Sequence, residues 1–442
     1  MIALDLAKML SGIDFSRIPE EAKKKTVQCV SDFIGVFLGG KHFHESKALR
    51  DALREKYDEI PTTGSTALWI ASVGRLLDFD DGHRRAMGHP GVPVISTALA
   101  MARRQGASGV SFMEAVVRGY EAYCFIGPVI NPKAYLERGF DATGICGAVG
   151  AAAVASTILA FDEKKMADAI AIAASLCGGL NQYTIDGGSP KYLCAGWAAK
   201  LGVESALIAQ NGLTGPLGIF EGEKGYCQGF AVDYDRSLLE NPRVSWAVES
   251  VYLKRFACVR RLHAALDIVD DAMRKEGILA KNIRRIDVYG SHFIAESAKY
   301  DPADETLAQT SMPFAIALLL KYGEVTIERI KENIGNADVS RLSRLVHIFE
   351  DESFNDLLKE EKGLWGAARV NITTEDGREV AGERKYALGE REAPLPEELL
   401  RHKFMNLATK SVSEEQAEKI FGELEDLVSI ENMSETVSRI ID

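Results

Sequence analysis

The chain has 442 residues, 46% hydrophobic and 26% charged, and its 64 acidic against 52 basic residues give a formal net charge of −12. That length allows two or three domains with a substantial core, and the composition is that of a globular protein. The acidic balance argues against a nucleic-acid backbone as partner, since phosphates require a cationic face.

Residues 1–60 read as helical. Pro19-Glu20-Glu21-Ala22 opens a helix with proline and acids in its first turn, and Gly39-Gly40 end it. A second, polar helix is expected over about Ser46 to Tyr57. Ala67 to Leu77 is a mostly apolar helix, and Val92 to Ala102 is another. Between them lies Asp78-Phe79-Asp80-Asp81-Gly82-His83, then Arg84, Arg85 and Gly88-His89-Pro90-Gly91. Carboxylates and imidazoles this dense, delivered between two buried helices, point to an interior polar pocket. The His-x5-His spacing also fits a metal site, but no third ligand cluster accompanies it, so no metal is expected.

Phe112 to Cys124 is helical, and Gly139 to Gly150 reads as a glycine-bearing loop. It runs into Ala142–Phe161, which carries no charge and has the length of a membrane span. Its Gly, Ala, Ser and Thr gain little in hydrocarbon, and Asp141 and Asp162 bracket it, so a buried helix and no membrane contact are expected. Asp162 is placed to cap the helix that follows. After the turn Gly187-Gly188-Ser189-Pro190-Lys191, the helix Ala195–Gln210 carries small residues at 195, 198, 199, 202, 205, 206 and 209, a stripe for close helix packing.

The pattern changes near 250. Ile283 to Phe293 alternates as a strand, Glu305–Tyr322 and Thr326–Ile334 read as helices, and Asp376-Gly377 between two alternating runs signals a hairpin. Past Pro394 and Pro396 the chain returns to helices over 397–409 and 413–427. The expected fold is mainly α: a large all-helical domain built from 1–253 and 392–442, plus a smaller α+β lid domain over 254–391. Seven dispersed cysteines without a CxxC fit neither a disulfide framework nor a zinc ribbon. With no signal peptide at the N-terminus, the expected location is the cytoplasm. The glycines near 139–150 lack the Lys-Ser/Thr of a phosphate loop.

The ordered set of motifs resembles the MmgE/PrpD family. It comprises Leu77-Asp78-Phe79-Asp80-Asp81-Gly82-His83 with His89-Pro90, Gly119-Tyr120-Glu121, and Gly139-Phe140-Asp141-Ala142-Thr143-Gly144. Lys191 with Ala195-Gly196-Trp197, Gly212-Leu213-Thr214-Gly215-Pro216, Lys254-Arg255-Phe256 before His263, and Lys403-Phe404 continue it. The resemblance spans nearly the whole chain. It implies a homodimer with its active site between helical domain and lid, and no metal or organic cofactor. It also implies a lyase or isomerase, 2-methylcitrate dehydratase-like in family terms, acting on a small carboxylate by α-proton abstraction.

Such a reaction needs a base, an acid, and cations that hold the charge developing on the substrate carboxylate. The expected catalytic set is Asp78, His89, Asp141, Lys191, Cys194 and Lys254, with His89 as acid/base and Asp78 orienting it or touching substrate. Arg84, Arg85, Tyr192, Arg255 and His263 are expected substrate contacts. His263 reads equally as a packed residue. Asp141 and Cys194 stand where family members carry histidines, and Phe314 where they carry tyrosine. An anion at 141 would repel a citrate-like trianion, which favours an epimerase of an amino- or imino-dicarboxylate as the alternative. Cys194 serves proton transfer if Lys191 lowers its pKa; a small core residue is the competing reading. A non-catalytic homologue that binds a small acid is the third.

Overall fold

The computed structural model describes residues 1–54 and 62–442. The N-terminal half is helical: α1 (Ile2–Ser11), α2 (Glu20–Lys41), α3 (His44–Ala52), α4 (Thr63–Leu76), α5 (Gly91–Gln105), α6 (Gly109–Ile130), α7 (Ala142–Ile158), α8 (Glu163–Leu176), the single turn α9 (Tyr183–Asp186) and α10 (Pro190–Gln210). The end of the polar helix expected to reach Tyr57 lies outside the described residues. α2 ends at Lys41, directly after Gly39-Gly40 as expected, and the missing side chains of that pair admit Leu407 and Val73. One boundary differs: Gly144, Gly147 and Gly150, expected in a loop, lie inside α7. Glycines that read as chain breaks serve instead as helix contacts.

α7 starts where Asp141 accepts the Gly144 N–H at 2.6 Å, and α8 where Asp162 accepts that of Lys165 at 2.8 Å. The uncharged run is thus a capped core helix, packed by α5, α6, α8 and α10. Among the described residues no helix is long and apolar enough to cross a membrane.

One large apolar core joins residues Ala3 to Leu253 with Leu395 to Ile441, the latter on the helices Glu397–Ala408, Glu414–Glu425 and Ser434–Ile441. A short antiparallel pair, β1 (Gly82–His83) with β2 (Val251–Tyr252), precedes a second core that begins at Phe256 and ends at Ala387. That core backs a four-stranded sheet in the order β4–β3–β5–β6: β3 (Ile283–Gly290), β4 (Val346–Glu350), β5 (Ala368–Thr374) and β6 (Glu379–Arg384). β3 is parallel to β4 and antiparallel to β5, and β5–β6 form the expected hairpin. The protein is therefore mainly α with a small α+β part. β4, with only five residues, escaped the sequence reading.

The helix expected over Glu305–Tyr322 is broken. Glu305–Ala308 stops, Ser311 caps a new helix by accepting the Phe314 N–H at 3.2 Å, and Met312–Tyr322 continues. The break frees Gln309 to reach the helical body. A small apolar cluster, including Leu77, Phe79, Ala257 and Ile327, packs at the seam between the two cores.

Candidate active site

α4 ends at Leu76, and two residues later Asp78 takes a left-handed backbone with φ 52°. Aspartate tolerates this region better than most residues, and such conformations persist only where the surroundings enforce them. Here the enforcement is ionic. The buried carboxylate of Asp78 accepts from Arg75 Nη1 at 2.6 Å, Lys254 Nζ at 2.6 Å and Lys191 Nζ at 3.1 Å. Burial alone would raise its pKa; Lys191, Lys254 and Arg75 overcome burial and hold it well below the usual carboxylate range. Three helical and loop segments far apart in sequence thus meet on one side chain.

Arg75 also binds Asp80 at 2.9 Å and His89 Nε2 at 3.0 Å. A guanidinium only donates, so Nε2 is the unprotonated nitrogen of His89. Its Nδ1–H then donates to the Asp81 carbonyl at 2.6 Å, with the Asp80 carboxylate 2.9 Å away as a charge contact. Burial first, then Arg75, lower the His89 pKa against the opposing pull of Asp80, so the ring is neutral near pH 7. Lys191, at the start of α10, also donates to Gln309 from the lid, and burial lowers its pKa to about 8.

These groups line a cavity of about 870 Å³ between the helical body and the lid. Its other walls are Tyr135 to Gly139, the α9 segment with Tyr183, Tyr252, and lid residues that include Arg261, Phe293, Lys299 and Trp365. Gly82 keeps the loop tight against β2, since a Cβ there would sit 2.2 Å from the Tyr252 hydroxyl. Lys403 holds the loop from below, donating to Asp32 at 2.6 Å, the Phe79 carbonyl at 2.8 Å and the Lys254 carbonyl at 3.0 Å.

Asp78, His89, Lys191 and Lys254 therefore converge on the cavity, and the other expected site residues behave differently. Asp141 does not line it: one oxygen caps α7 and the other accepts the hydroxyl of Tyr183, which stands on the cavity wall in its place. Cys194 packs beside Gly179, and burial, then Asp141, push its thiol up to about 12, contrary to the lowering expected from Lys191. Arg84 lines the cavity but is held by the carboxylates of Glu361 in the lid and of Glu392 and Glu390 where the chain leaves it, at 3.0, 2.5 and 3.6 Å. Arg85 is exposed and, like Tyr192, off the cavity wall. Arg255 is spent on Asp267 and Asp270 at 3.0 and 2.5 Å. His263 is fully buried against Arg260 and the Cys258 carbonyl. Among the described residues no group of three or more His, Cys, Asp or Glu is placed to hold a metal.

Sequence reasoning missed Arg75, Tyr183, Arg261, Lys299 and Gln309. Arg75 alone had a local signal, a cation three residues before Asp78 at the end of an apolar helix.

The body, the lid and the charged cavity between them define a two-part, mainly helical protein with a polar chamber between its parts. Residues 4–238 match the MmgE/PrpD N-terminal domain and residues 256–427 the MmgE/PrpD C-terminal domain, and the chain belongs to the MmgE/PrpD family. A cis-aconitate decarboxylase-like protein, oryM, of Aspergillus oryzae is 22% identical over 99% of this chain and 97% of its own length. The cis-aconitate decarboxylase of Aspergillus terreus is 26% identical over 79% of this chain and 75% of its own. That of Homo sapiens is 26% identical over 81% and 75%.

Proposed function

We propose that this protein is a cofactor-independent lyase or isomerase that makes or consumes a carbanion α to a carboxylate of a small organic acid. One observation carries the reading: a neutral His89, a Lys191 with its pKa near 8, and the Asp78-centred cations meet on one enclosed cavity. Arg75, Lys191 and Lys254 face Asp78 and Asp80, three cations against two carboxylates, which leaves room for an incoming anion. A substrate carboxylate that draws Arg75 Nη2 away uncovers the His89 Nε2 lone pair. That lone pair then takes the α-proton while Lys191 and Arg75 hold the charge passing into the carboxylate. Loss of a β-hydroxyl, which takes a proton from Lys191 and leaves as water, completes a dehydration, as in 2-methylcitrate dehydratase, and return of the proton completes an isomerisation. In decarboxylation CO2 leaves first and Lys191 protonates the carbon.

The names of the relatives favour a lyase, decarboxylation above all, on an aconitate-like acid. The epimerase reading rested on an anionic Asp141 facing the substrate; with that carboxylate bound to α7 and Tyr183, no observation favours it. Incubation in deuterated water with citrate-like, aconitate-like and amino-dicarboxylic acids, followed by NMR, tests the reading. Growth of product alkene, or release of CO2 with deuterium at the carbon that lost it, is expected. Silence across the panel, monocarboxylates included, leaves the small-acid-binding homologue and overturns the enzyme.

We further propose a homodimer. α10 leaves Trp197 57% and Ile208 37% exposed, and Leu213 just beyond it 60%, large apolar side chains for which burial against a second copy is favourable. Light scattering after size exclusion checks it.

A further inference from the structure

Most cations at this site have an internal partner. Arg84 has three carboxylates, Arg260 binds Glu390 at 2.8 Å, and Lys254 and Lys191 hold Asp78. Arg261 does not. It lines the cavity from the lid, and among the described residues its guanidinium forms no ion pair and no hydrogen bond. Its Nε is enclosed without a partner. Lys299, on the same wall, makes one hydrogen bond, to the Thr310 hydroxyl at 3.1 Å, and no ion pair. Each is close enough to feel Glu296, an exposed residue at the cavity rim, and Arg261 disfavours the charge on Lys299, yet neither cation makes an ion pair with Glu296. Burial lowers the pKa of both.

A half-buried guanidinium beside an ammonium, with its Nε enclosed without a partner and no carboxylate within ion-pairing distance, is poorly compensated in the empty protein. Folding gains nothing from it, because neutral side chains of the same length would pack without the repulsion. A ligand anion removes the cost, and arginine's planar fork suits a carboxylate. Tyr135, Arg261, Arg75 and Asp78 all line the same cavity, and Tyr135 is within electrostatic reach of the other three. Both sets of cations therefore address one chamber.

We propose that Arg261, supported by Lys299, is a specificity-determining residue that binds a second, non-reacting carboxylate of the substrate while the reacting end lies at Asp78, Lys191 and His89. This rests on the reading of the cavity as the active site; what it adds is the residue, which places the remote carboxylate of a polycarboxylate against the lid. Because the remote contact comes from the lid and the chemistry from the body, a two-ended acid bridges both, whereas a monocarboxylate engages one.

The test uses the full-length protein, tricarballylate as a tricarboxylate probe and butyrate as a monocarboxylate, with calorimetry and thermal melts. The wild type is expected to bind tricarballylate at least about tenfold tighter than butyrate. Arg261→Gln should lose roughly tenfold or more of the tricarballylate affinity and leave that for butyrate unchanged, with Lys299→Gln giving a smaller loss in the same direction. The apo melting temperature of Arg261→Gln should hold or rise, which a structural arginine would not allow. Arg261→Lys, retaining the charge, should recover part of the affinity. Equal binding of both probes by the wild type overturns the proposal, as does an Arg261→Gln variant that binds tricarballylate normally or melts lower. Deuterium exchange separates the two readings. Exchange with an unaltered variant affinity leaves the enzyme and removes the subsite; a selective affinity loss without any exchange leaves the subsite and removes the enzyme.

Discussion

His89 and Lys191 carry opposite halves of the pH dependence. The base form of His89 is lost only below its ordinary 6.5, because burial and Arg75 lower its pKa, and Lys191 loses its proton above about 8. The rate kcat/KM is expected to rise with pH through the depressed histidine value, hold, and fall above about 8. His89→Gln should lower it by roughly a hundredfold to ten-thousandfold, and Lys191→Arg should shift the alkaline limb upward. Asp141 belongs to a different class of residue. Since its oxygens cap α7 and receive Tyr183, Asp141→Ala should cost about 1 kcal/mol of stability in a denaturant titration, with Asp141→Asn closer to wild type. The sequence marked 141 as the residue that decides the reaction. The side chain points instead into the helix start, a direction set by which N–H groups lie open at the first turn of α7.

At the scale of elements, the lid and the body are held together by single side chains placed at breaks. Gln309 stands between two lid helices, receives Lys191 and donates to the Leu77 carbonyl at 3.2 Å. Gln309→Ala should weaken substrate binding and speed hydrogen exchange over 305–311, each lost hydrogen bond costing about 1 kcal/mol. The sequence shows an unbroken helical run there, because only the tertiary contact makes Ser311 a cap. Lys403 joins the helix Glu397–Ala408 to the loop and to the entry of the lid. Burial pushes Asp32 up and Lys403 down even with the two in contact. Removing one partner therefore leaves an uncompensated charge. Lys403→Met should cost roughly 3–5 kcal/mol in a denaturant titration, and the double variant with Asp32→Leu should recover most of it. Helix type and approximate length were legible from apolar spacing, as α4, α5 and α10 show. The helical state of Gly144 to Gly150 was not, because the same residue that breaks a helix in isolation permits a helix crossing in a core.

For the whole molecule, three buried histidines contribute to the acid response. His83 is lowered to about 4 by burial first, then Arg85 and Arg84, and burial also lowers His89 and His263. Each is neutral in the fold but protonated in the unfolded chain below about 6.5, so its contribution is present above that pH and is lost as pH falls toward the folded value. Asp81, raised by burial to about 7, works in the opposite sense, favouring the fold less as pH climbs from about 4 to 7. Asp32, Glu121 and Asp267 are raised by burial as well and act in the same sense as Asp81. The histidine contribution is read from the variant: between pH 6.5 and 4.5 the denaturant midpoint of His83→Gln should lose less, relative to its value at pH 7, than that of the wild type.

The sequence by itself determined the class of this protein: the mainly α character, the hairpin, the family, and the loop from Asp78 to His89 as a wall of the site. Those properties are written in local periodicity and in short ordered motifs, which need no partner to be seen. The tertiary structure alone decided which charges are free. Arg84, Arg85, Arg255, Arg261 and Lys299 look equally available in the chain, yet Arg84 and Arg255 are paired, Arg85 is exposed off the cavity, and Arg261 and Lys299 face it without a carboxylate. An ion pair forms across any sequence separation, and its strength depends on distance and burial, so the charge left over for a substrate is a property of the folded molecule.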